Sequence, residues 1–259
     1  MRDLTVTLLQ TSLFWHKPEA NRAHFDGLLA ALEQATDLVV LPEMFTTGFT
    51  MDARNHAETM TGESVAWMKL MAQDYDVTLC GSLIIEADGR YYNRLIWASP
   101  DGNVNWYDKR HLFRMADEHK HFAAGCERKI FTLKDWRICP LVCYDLRFPG
   151  WSRGPDEFDL IIYIANWPAA RRSAWQILIP ARAVENLCYA VGVNRIETDG
   201  KDIRYAGDSA AYDFLGNTIV ACGDGAHSET VCLDGSALER FRRKFPAHLD
   251  ADRLRIELT

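Results

Sequence analysis

The segment RICPLVCYDLRFPGW, residues 137–151, decides the fold class of this chain. It begins with a short apolar run that is typical of a buried strand, and polar and turn-forming residues follow directly after Cys143. A thiol in the middle of a strand would be packed and inert, whereas a thiol at the end of a strand faces a loop, where it can meet a base and a substrate. The segment therefore predicts a sheet that can present Cys143 as a nucleophile, although a cysteine taken alone would more often be a buried core residue.

Runs of the same kind alternate with helical stretches along the whole chain. Apolar and β-branched runs predict strands at residues 4–10, 37–43, 77–85, 94–99, 138–145, 159–166, 189–196, 210–214 and 229–234. Apolar residues at helical spacing predict helices at residues 21–35, 64–75, 175–188 and 236–245.

Two features of these strands predict how the sheets are built. Several strands are apolar on both faces, which indicates sheets that are covered on each side. Turn dipeptides at residues 88–89, 101–102 and 216–217 are typical of hairpins, which require antiparallel pairing. Two mixed β-sheets between helix layers satisfy both requirements. We therefore predict an α/β fold, a four-layer α-β-β-α sandwich.

Length and composition indicate a single globular domain. Of the 259 residues, 48% are hydrophobic and 25% are charged, so the chain can build a large core and keep a polar surface. No linker rich in Pro, Gly or Ser divides it, and we predict one domain over residues 1–259. The net charge of -7, without a run rich in Lys or Arg, argues against nucleic acid or an anionic membrane as partner. A small-molecule partner is expected instead.

The sequence shows no pattern typical of export or membrane insertion. Its first residues alternate between apolar and polar and lack the features of a signal peptide, and no apolar run approaches the roughly 18 residues of a membrane span. The seven cysteines lack the spacing of a disulfide framework, which is typical of free thiols in a reducing compartment. We predict a cytoplasmic protein.

Two charged residues share the position of Cys143 at the end of an apolar run. Glu43 closes the run DLVVLPE at 37–43, and Lys109 follows the strand-like NVNWYD at 103–108. Removing an ion from water costs several kcal/mol, so an enclosed Glu43 implies an opposite charge nearby, and Lys109 is a candidate. Taken singly, each would be read as a solvated or salt-bridged surface charge.

The three motifs LPEMF, YDKRHLF and LVCYDLRFP together resemble the nitrilase superfamily of carbon-nitrogen hydrolases. The resemblance covers nearly the whole chain and includes a late hairpin over residues 210–234. The segment DEHKHFAAG at 117–125 resembles the one that carries a second glutamate, which places that role on Glu118. The Asn-Trp-Pro at 166–168 and KFPAHLDADRL at 244–254 are similar to the omega-amidase branch.

The resemblance implies an enzyme that cleaves the terminal amide of a small dicarboxylate monoamide, such as 2-oxoglutaramate, to the acid and ammonia. It implies that Glu43 is the base and that Cys143 forms a thioester. Lys109 and the backbone N–H of Tyr144 would stabilise the oxyanion, with Glu118 keeping Lys109 charged. A nitrile, a carbamoyl compound or an acyl transfer could use the same residues, and a catalytically silent binding protein is a further alternative.

A substrate of this kind keeps a free carboxylate, which a planar guanidinium pairs with bidentately. Arg171 and Arg172 follow the Asn-Trp-Pro segment, and Arg147 lies in the loop after Cys143. All three are candidates, with Arg171 preferred, and a solvated or ion-paired surface arginine is the alternative for each. Trp167 could line the pocket or be a plain core aromatic.

No metal or cofactor is predicted. His111, His119 and His121 lie near Cys126, but neither CxxC nor HExxH spacing accompanies them, and the chain lacks GxGxxG and GxxxxGK[ST] motifs. The resemblance implies a homodimer or a larger homo-oligomer. Its contact segments would be residues 151–154, the helix through 181–188 and the tail at 245–259.

Overall fold

The structure is a computed structural model that describes residues 1–252 and 255–257. Residues 253, 254, 258 and 259 of the predicted contact tail therefore lie outside the described residues. Two six-stranded mixed sheets share a core and carry helices on their outer faces. This arrangement confirms the predicted α/β fold, a four-layer α-β-β-α sandwich.

The first sheet is formed mainly by the N-terminal half of the chain. Its strands are β1 (Leu4–Gln10), β2 (Leu38–Val40), β3 (Thr78–Ala87), β4 (Arg90–Ala98), β5 (Val104–Asp108) and β14 (His227–Leu233). They lie in the order β14-β1-β2-β3-β4-β5. The three strands β1, β2 and β3 run parallel, and the other pairs are antiparallel.

The second sheet repeats this pattern of directions. Its strands are β6 (Phe131–Leu133), β7 (Trp136–Val142), β8 (Leu160–Ala165), β9 (Tyr189–Asn194), β12 (Ala210–Tyr212) and β13 (Thr218–Ala221). They lie in the order β6-β7-β8-β9-β12-β13, and β7, β8 and β9 are the parallel strands. A separate two-stranded ribbon is formed by β10 (Ile196–Thr198) and β11 (Arg204–Ala206).

The helices cover the two sheets from outside. They are α1 (Pro18–Ala30), α2 (Ala53–His56), α3 (Glu63–Asp74), α4 (Glu118–His121), α5 (Pro149–Ser152), α6 (Arg172–Asn186) and α7 (Gly235–Lys244). Helices α1 and α3 bury apolar side chains such as Phe25 and Met68 against the first sheet, whereas α6 and α7 bury Ile179 and Leu238 against the second. None of the helices in the described part of the chain has the length and apolar character that a membrane crossing requires.

The three predicted hairpin turns are present, but the late hairpin is shorter than expected. Within residues 210–234 only β12 and β13 form a hairpin, because β13 ends the second sheet whereas β14 pairs with β1 in the first. The turn at Gly223, which has a φ of 65°, therefore leads the chain from one sheet to the other. Burial of Val231 and Leu233 between the sheets stabilises this crossing.

The two sheets place their strand ends at a common edge. Glu43 follows β2 and Lys109 follows β5 in the first sheet, whereas Cys143 follows β7 and Asn166 follows β8 in the second. Functional groups from both halves of the chain therefore meet where the two sheets face each other.

Candidate active site

A buried lysine lies between two buried carboxylates at this edge. The Lys109 Nζ atom donates to Glu43 Oε1 at 2.9 Å and lies 3.0 Å from both carboxylate oxygens of Glu118. All three side chains are enclosed, and Lys109 is only 1% exposed. The ring of Phe49 lies 5.1 Å below the same ammonium. The structure thus brings together three of the four residues predicted to be catalytic.

The two carboxylates keep this lysine charged. Burial alone would lower the pKa of Lys109, but the negative charges of Glu118 and Glu43 outweigh burial and raise the pKa above its ordinary value. For Glu118, burial is the larger effect, and the pKa of its carboxyl is raised although Lys109 opposes the shift. A cationic Lys109 is the form that can stabilise an oxyanion.

Hydrogen bonds hold both carboxylates in fixed orientations. Asn93, on β4, donates through Nδ2 to Glu43 Oε1 at 2.7 Å, and the backbone N–H of Phe113 donates to Glu118 Oε2 at 2.6 Å. The residue that precedes Glu118, Asp117, has a φ of 59°, a left-handed conformation that starts α4 with Glu118 facing the lysine. The geometry of the charged cluster is therefore preorganised.

Glu43 is also bound to the second sheet. Its Oε2 atom accepts from the backbone N–H of Asn166 at 2.8 Å, and its backbone oxygen accepts from Asn166 Nδ2 at 2.6 Å. These two bonds, both donated by Asn166, join the end of β2 to the end of β8 across the core. A buried carboxylate with this many donors cannot move away from the cavity without losing them.

Cys143 begins a tight turn at the end of β7. The chain enters a 3-10 turn over Cys143–Arg147, and Cys143 itself has a φ of 46°, which is uncommon for a residue other than glycine. Such strained conformations cluster at functional sites, where they aim a side chain. The thiol lies 3.9 Å from the backbone oxygen of Asn166, and the residue is 8% exposed.

The resting form of this thiol is protonated. Burial raises the pKa of Cys143 well above its ordinary value, the charge of Glu43 raises it further, and Lys109 only partly opposes them. A base must therefore remove the proton before the sulfur can attack.

Asp145 braces the turn that begins at Cys143, and the sequence analysis did not identify it as a site residue. Its buried carboxylate accepts from the backbone N–H of Val142 at 3.0 Å and from the Tyr107 hydroxyl at 2.8 Å. It also accepts from the backbone N–H of His111 at 2.9 Å and lies 2.8 Å from His111 Nδ1. Since Tyr107 and His111 flank Lys109, this carboxylate connects the cysteine turn to the lysine segment.

A cavity of about 430 Å³ opens over the cluster. Its floor is formed by Lys109, Cys143, Tyr144 and Asn166, so the Cys143 thiol is open to a small molecule. Tyr144 is the second residue of the 3-10 turn, and the first N–H groups of a helical turn have no partner within it. Other lining residues are Phe49, Phe113, Met115, Trp167, Ile203 and Tyr205.

This combination of fold and site has a counterpart among known proteins. The carbon-nitrogen hydrolase family model matches residues 5–240. The chain belongs to the carbon-nitrogen hydrolase family. As a member it is an enzyme that acts on carbon-nitrogen bonds, as the three strand-end motifs predicted.

Individual members of the family match nearly the whole chain. The chain is 46% identical over 260 residues to the omega-amidase YafV of Escherichia coli (strain K12). That match covers 99% of this chain and 100% of YafV. It is 30% identical to the 2-oxoglutaramate amidase of Bacillus subtilis (strain 168), in a match that covers 85% of this chain and 86% of that protein. A CN-hydrolase superfamily protein from Xanthomonas campestris, XC1258, was solved with an arsenic adduct in its active site. It is 44% identical to this chain, and the match covers 99% of this chain and 100% of that one. The TM-score between the two structures is 0.97.

The rim of the hydrolase cavity carries two of the three arginines considered in the sequence, Arg147 and Arg171. The Arg147 guanidinium lies 5.2 Å from the ring of Trp167, and the Arg171 guanidinium lies 5.1 Å from the ring of Phe113. Among the described residues, Arg147 and Arg171 form no ion pair with a carboxylate. Arg172 differs, because Asp208 binds it through two hydrogen bonds of 2.5 and 2.6 Å.

Trp167 is both a packed aromatic and a wall of this cavity. It is buried, its Nε1 donates to the backbone oxygen of Arg171 at 2.9 Å, and Asn194 Oδ1 accepts from its backbone N–H at 2.7 Å. The structure adds one rim cation that sequence reasoning missed, the exposed Lys201. No local signal indicates Lys201, since it lies in the loop between β10 and β11, far from the motifs along the chain.

The histidines noted in the sequence have separate surroundings. His111 lies beside Asp145 and stacks on Phe148 at 3.7 Å, and within the described part of the chain His111, His119 and His121 form no metal-sized group with Cys126.

Proposed function

We propose that this hydrolase is an omega-amidase, which cleaves the terminal amide of a small dicarboxylate monoamide such as 2-oxoglutaramate to the dicarboxylate and ammonia. The observation that carries the proposal is the enclosed cluster of Glu43, Lys109 and Cys143 beneath a cavity whose rim cations form no ion pair with any described residue. The names of the omega-amidase and 2-oxoglutaramate amidase relatives support the same substrate class.

The first step is attack by the sulfur. Glu43 accepts the thiol proton of Cys143, and the sulfur forms a bond to the amide carbonyl carbon while the carbonyl π electrons move to oxygen. The raised pKa of the Cys143 thiol makes this proton transfer necessary. The hydrogen bonds from Asn93 and Asn166 keep the Glu43 carboxylate in place to receive the proton.

The oxyanion then lies against Lys109. An ammonium has three N–H donors. One is directed to Glu43, and the equal distances to the two Glu118 oxygens correspond to one bifurcated bond, which leaves the third for the cavity. The backbone N–H of Tyr144 is the second donor. Each preorganised donor of this kind contributes about a hundred- to a thousand-fold in rate.

Collapse of the tetrahedral intermediate breaks the carbon-nitrogen bond. Glu43 returns its proton to the departing nitrogen, ammonia leaves, and a thioester remains on Cys143. Water then attacks the thioester as Glu43 takes one of its protons, the carbon-sulfur bond breaks, and the proton returns to the sulfur. Glu118 acts through Lys109, because its charge keeps the ammonium protonated throughout.

The rim cations would bind the distal carboxylate of the substrate. Arg171 and Arg147 have planar forks that suit a carboxylate, and their positions over aromatic rings hold the guanidinium groups toward the cavity. Lys201, which also lines the cavity, adds a further positive charge.

Ammonia release from a panel of substrates tests this function. The panel comprises 2-oxoglutaramate, succinamate, an uncharged monoamide of the same length, a nitrile and a carbamoyl compound. We expect the two carboxylate-bearing amides to have the highest kcat/KM. Higher efficiency for the nitrile, or equal efficiency for the uncharged amide, would contradict the proposal.

A matched variant tests the role of the base. Glu43→Gln keeps the size of the side chain but cannot accept the thiol proton, so we expect kcat to fall by about 10² to 10⁴-fold. Glu63→Gln, in an exposed carboxylate at the start of α3, should leave kcat unchanged. Near-wild-type turnover in Glu43→Gln would remove Glu43 from the mechanism.

The proposal also includes a cytoplasmic homodimer. The seven free cysteines suit a reducing compartment, and Ile177, Val184, Phe245 and Leu249 are large apolar side chains on the segments expected to meet a second copy. Sedimentation at micromolar concentration should give a species of about twice 29.5 kDa. A single species at the monomer mass would contradict the dimer.

A further inference from the structure

Two histidines and an aspartate from separate segments meet near the active-site cavity but do not line it. His16 lies in the loop after β1, Asp52 directly precedes α2, and His56 is the last residue of α2. One nitrogen or oxygen atom of each lies within 4.8 Å of the others. In the described ranges, 1–252 and 255–257, no other set of three His, Cys, Asp or Glu residues is arranged in this way.

The spacing suits a tetrahedral metal ion. With bonds of about 2.0–2.2 Å, the ligand atoms of a tetrahedral zinc site lie about 3.4 Å apart. The distance between His56 Nε2 and Asp52 Oδ2 is 3.7 Å. Since no pair exceeds 4.8 Å, the widest pair needs to close by only roughly 1.4 Å, which side-chain rotation can supply.

Neighbouring groups orient these side chains. Asn55 Nδ2 donates to both carboxylate oxygens of Asp52, at 2.8 and 3.1 Å, as outer partners of metal ligands do. The indole of Trp15 stacks on the His16 ring with centroids 4.4 Å apart. His16 Nε2 is buried without a hydrogen-bond partner among the described residues, and His16 has a φ of 56°, an uncommon conformation for histidine.

We propose that His16, Asp52 and His56 form a binding site for a divalent transition metal of the zinc class. Two imidazoles and one carboxylate match the donors of zinc sites, whereas Mg²⁺ and Ca²⁺ favour oxygen ligands. The Asp52 side chain is 43% exposed, so an ion and a fourth ligand from solvent can approach.

The ion would join two segments that border the active site. His16 is tied to the loop after Glu43, since its backbone N–H donates to the backbone oxygen of Thr47 at 3.1 Å. Asp52 lies three residues beyond Phe49, which lines the cavity. Because an ion that binds only the folded state stabilises it, zinc should raise the melting temperature.

Isothermal titration with Zn²⁺ tests the site. We expect one equivalent to bind the wild-type protein and Mg²⁺ not to bind there. The test variants are His16→Asn, in which Asn tolerates the left-handed backbone, Asp52→Asn and His56→Gln. Loss of an outer-shell partner alone costs about 10- to 100-fold in metal affinity, so loss of either imidazole should weaken binding by at least that factor.

Two controls separate this site from other places where zinc could bind. His227→Gln changes a histidine that also lies beside a carboxylate, Glu229 at 3.5 Å, and should leave zinc affinity unchanged. Cys143→Ala removes the catalytic thiol, and this variant should still bind one equivalent of Zn²⁺. Circular dichroism without zinc checks that each variant is folded. If His16→Asn does not fold, the Asp52→Asn variant still tests the site, because this substitution is exposed and nearly isosteric.

The outcomes are distinct. Binding that persists in Cys143→Ala and His227→Gln but weakens in the three test variants supports the proposal. Binding that disappears in Cys143→Ala and persists in His16→Asn and Asp52→Asn, or an absence of binding to the wild-type protein, would overturn it.

Discussion

The floor and the rim of the active-site cavity hold their cations in opposite ways. On the floor, Lys109 is enclosed and paired with two carboxylates at 2.9–3.0 Å. On the rim, Arg147, Arg171 and Lys201 are wholly or partly exposed. A charge held by buried partners is ready for chemistry, whereas a charge that faces solvent is available to a substrate. The floor should therefore control turnover and stability, and the rim should control which amide is accepted.

The largest expected effect is at the nucleophile. Cys143→Ala removes the only group that can form the thioester, so we expect kcat to fall by about 10⁶-fold, as for the loss of other catalytic nucleophiles. Ammonia release is the measurement, and the exposed Cys126→Ala is the control. Substantial turnover by Cys143→Ala would show that the floor does not act through this sulfur.

The next effect is the loss of the buried cation. Lys109→Met leaves two enclosed carboxylates without their partner, and breaking a buried ion pair in this way costs about 3–5 kcal/mol of unfolding free energy. Turnover should fall by about 10² to 10³-fold because the oxyanion loses a donor. Urea unfolding and ammonia release measure the two effects. A variant as stable as the wild type would contradict the view that the floor cluster is a coupled unit.

The stability loss in Lys109→Met should depend on pH. The pKa of the Glu118 carboxyl is already raised by burial, and removing Lys109 raises it further. Above its folded-state pKa the buried carboxylate is ionised and destabilising, and below it the protonated form is tolerated. Stability relative to the wild type should therefore recover as pH falls through the raised pKa toward the ordinary value of 4.5. Urea unfolding as a function of pH measures this, and a constant difference would contradict it.

A smaller and more selective effect is expected at the rim arginines. Arg171→Met should raise KM for 2-oxoglutaramate by about 10- to 100-fold, the range for a hydrogen bond to a charged group, and leave the uncharged analogue unaffected. Arg147→Met should act in the same direction. Arg172→Met is a matched control, because Arg172 is bound by Asp208. Equal losses for charged and uncharged amides would assign the arginines a structural role.

The smallest effect is expected at Lys201. An exposed ammonium contributes little in water, so Lys201→Met should raise KM by about two- to five-fold. The difference should shrink as salt is added, because salt screens exposed charges. Steady-state kinetics at two ionic strengths measures it. A salt-independent loss would indicate that Lys201 contacts the substrate directly.

The local pattern of apolar and polar residues predicted most of the fold and the residues that lie at strand ends. Glu43, Lys109 and Cys143 each end an apolar run, and the end of a strand is visible in the sequence. Glu118 was reached only through the family resemblance, because it starts a four-residue helix after an irregular segment. The helix predicted at 21–35 ends earlier, at Ala30, since boundaries depend on packing that periodicity does not report.

The groups that hold the site together had no such local signal. Asp145 was visible only as a polar turn residue, and Asn93 and Asn166 as isolated amides. Their roles depend on contacts with residues distant along the chain, such as the paired bonds between Asn166 and Glu43. The same holds for His16 and His56, which meet only because the loop after β1 packs against the end of α2.

The sequence by itself determined the two-sheet architecture and the family, and it predicted the residue types of the candidate active site. Hydrophobic periodicity and strand ends are local properties, and a nucleophile, a base and a cation in a fixed order are specific enough to recognise. The tertiary structure decided which sheet β14 joins, how the carboxylates share one lysine and which cations face the cavity. Those outcomes depend on burial and distance between remote segments, and charge pairing in a low-dielectric core is set by three-dimensional position.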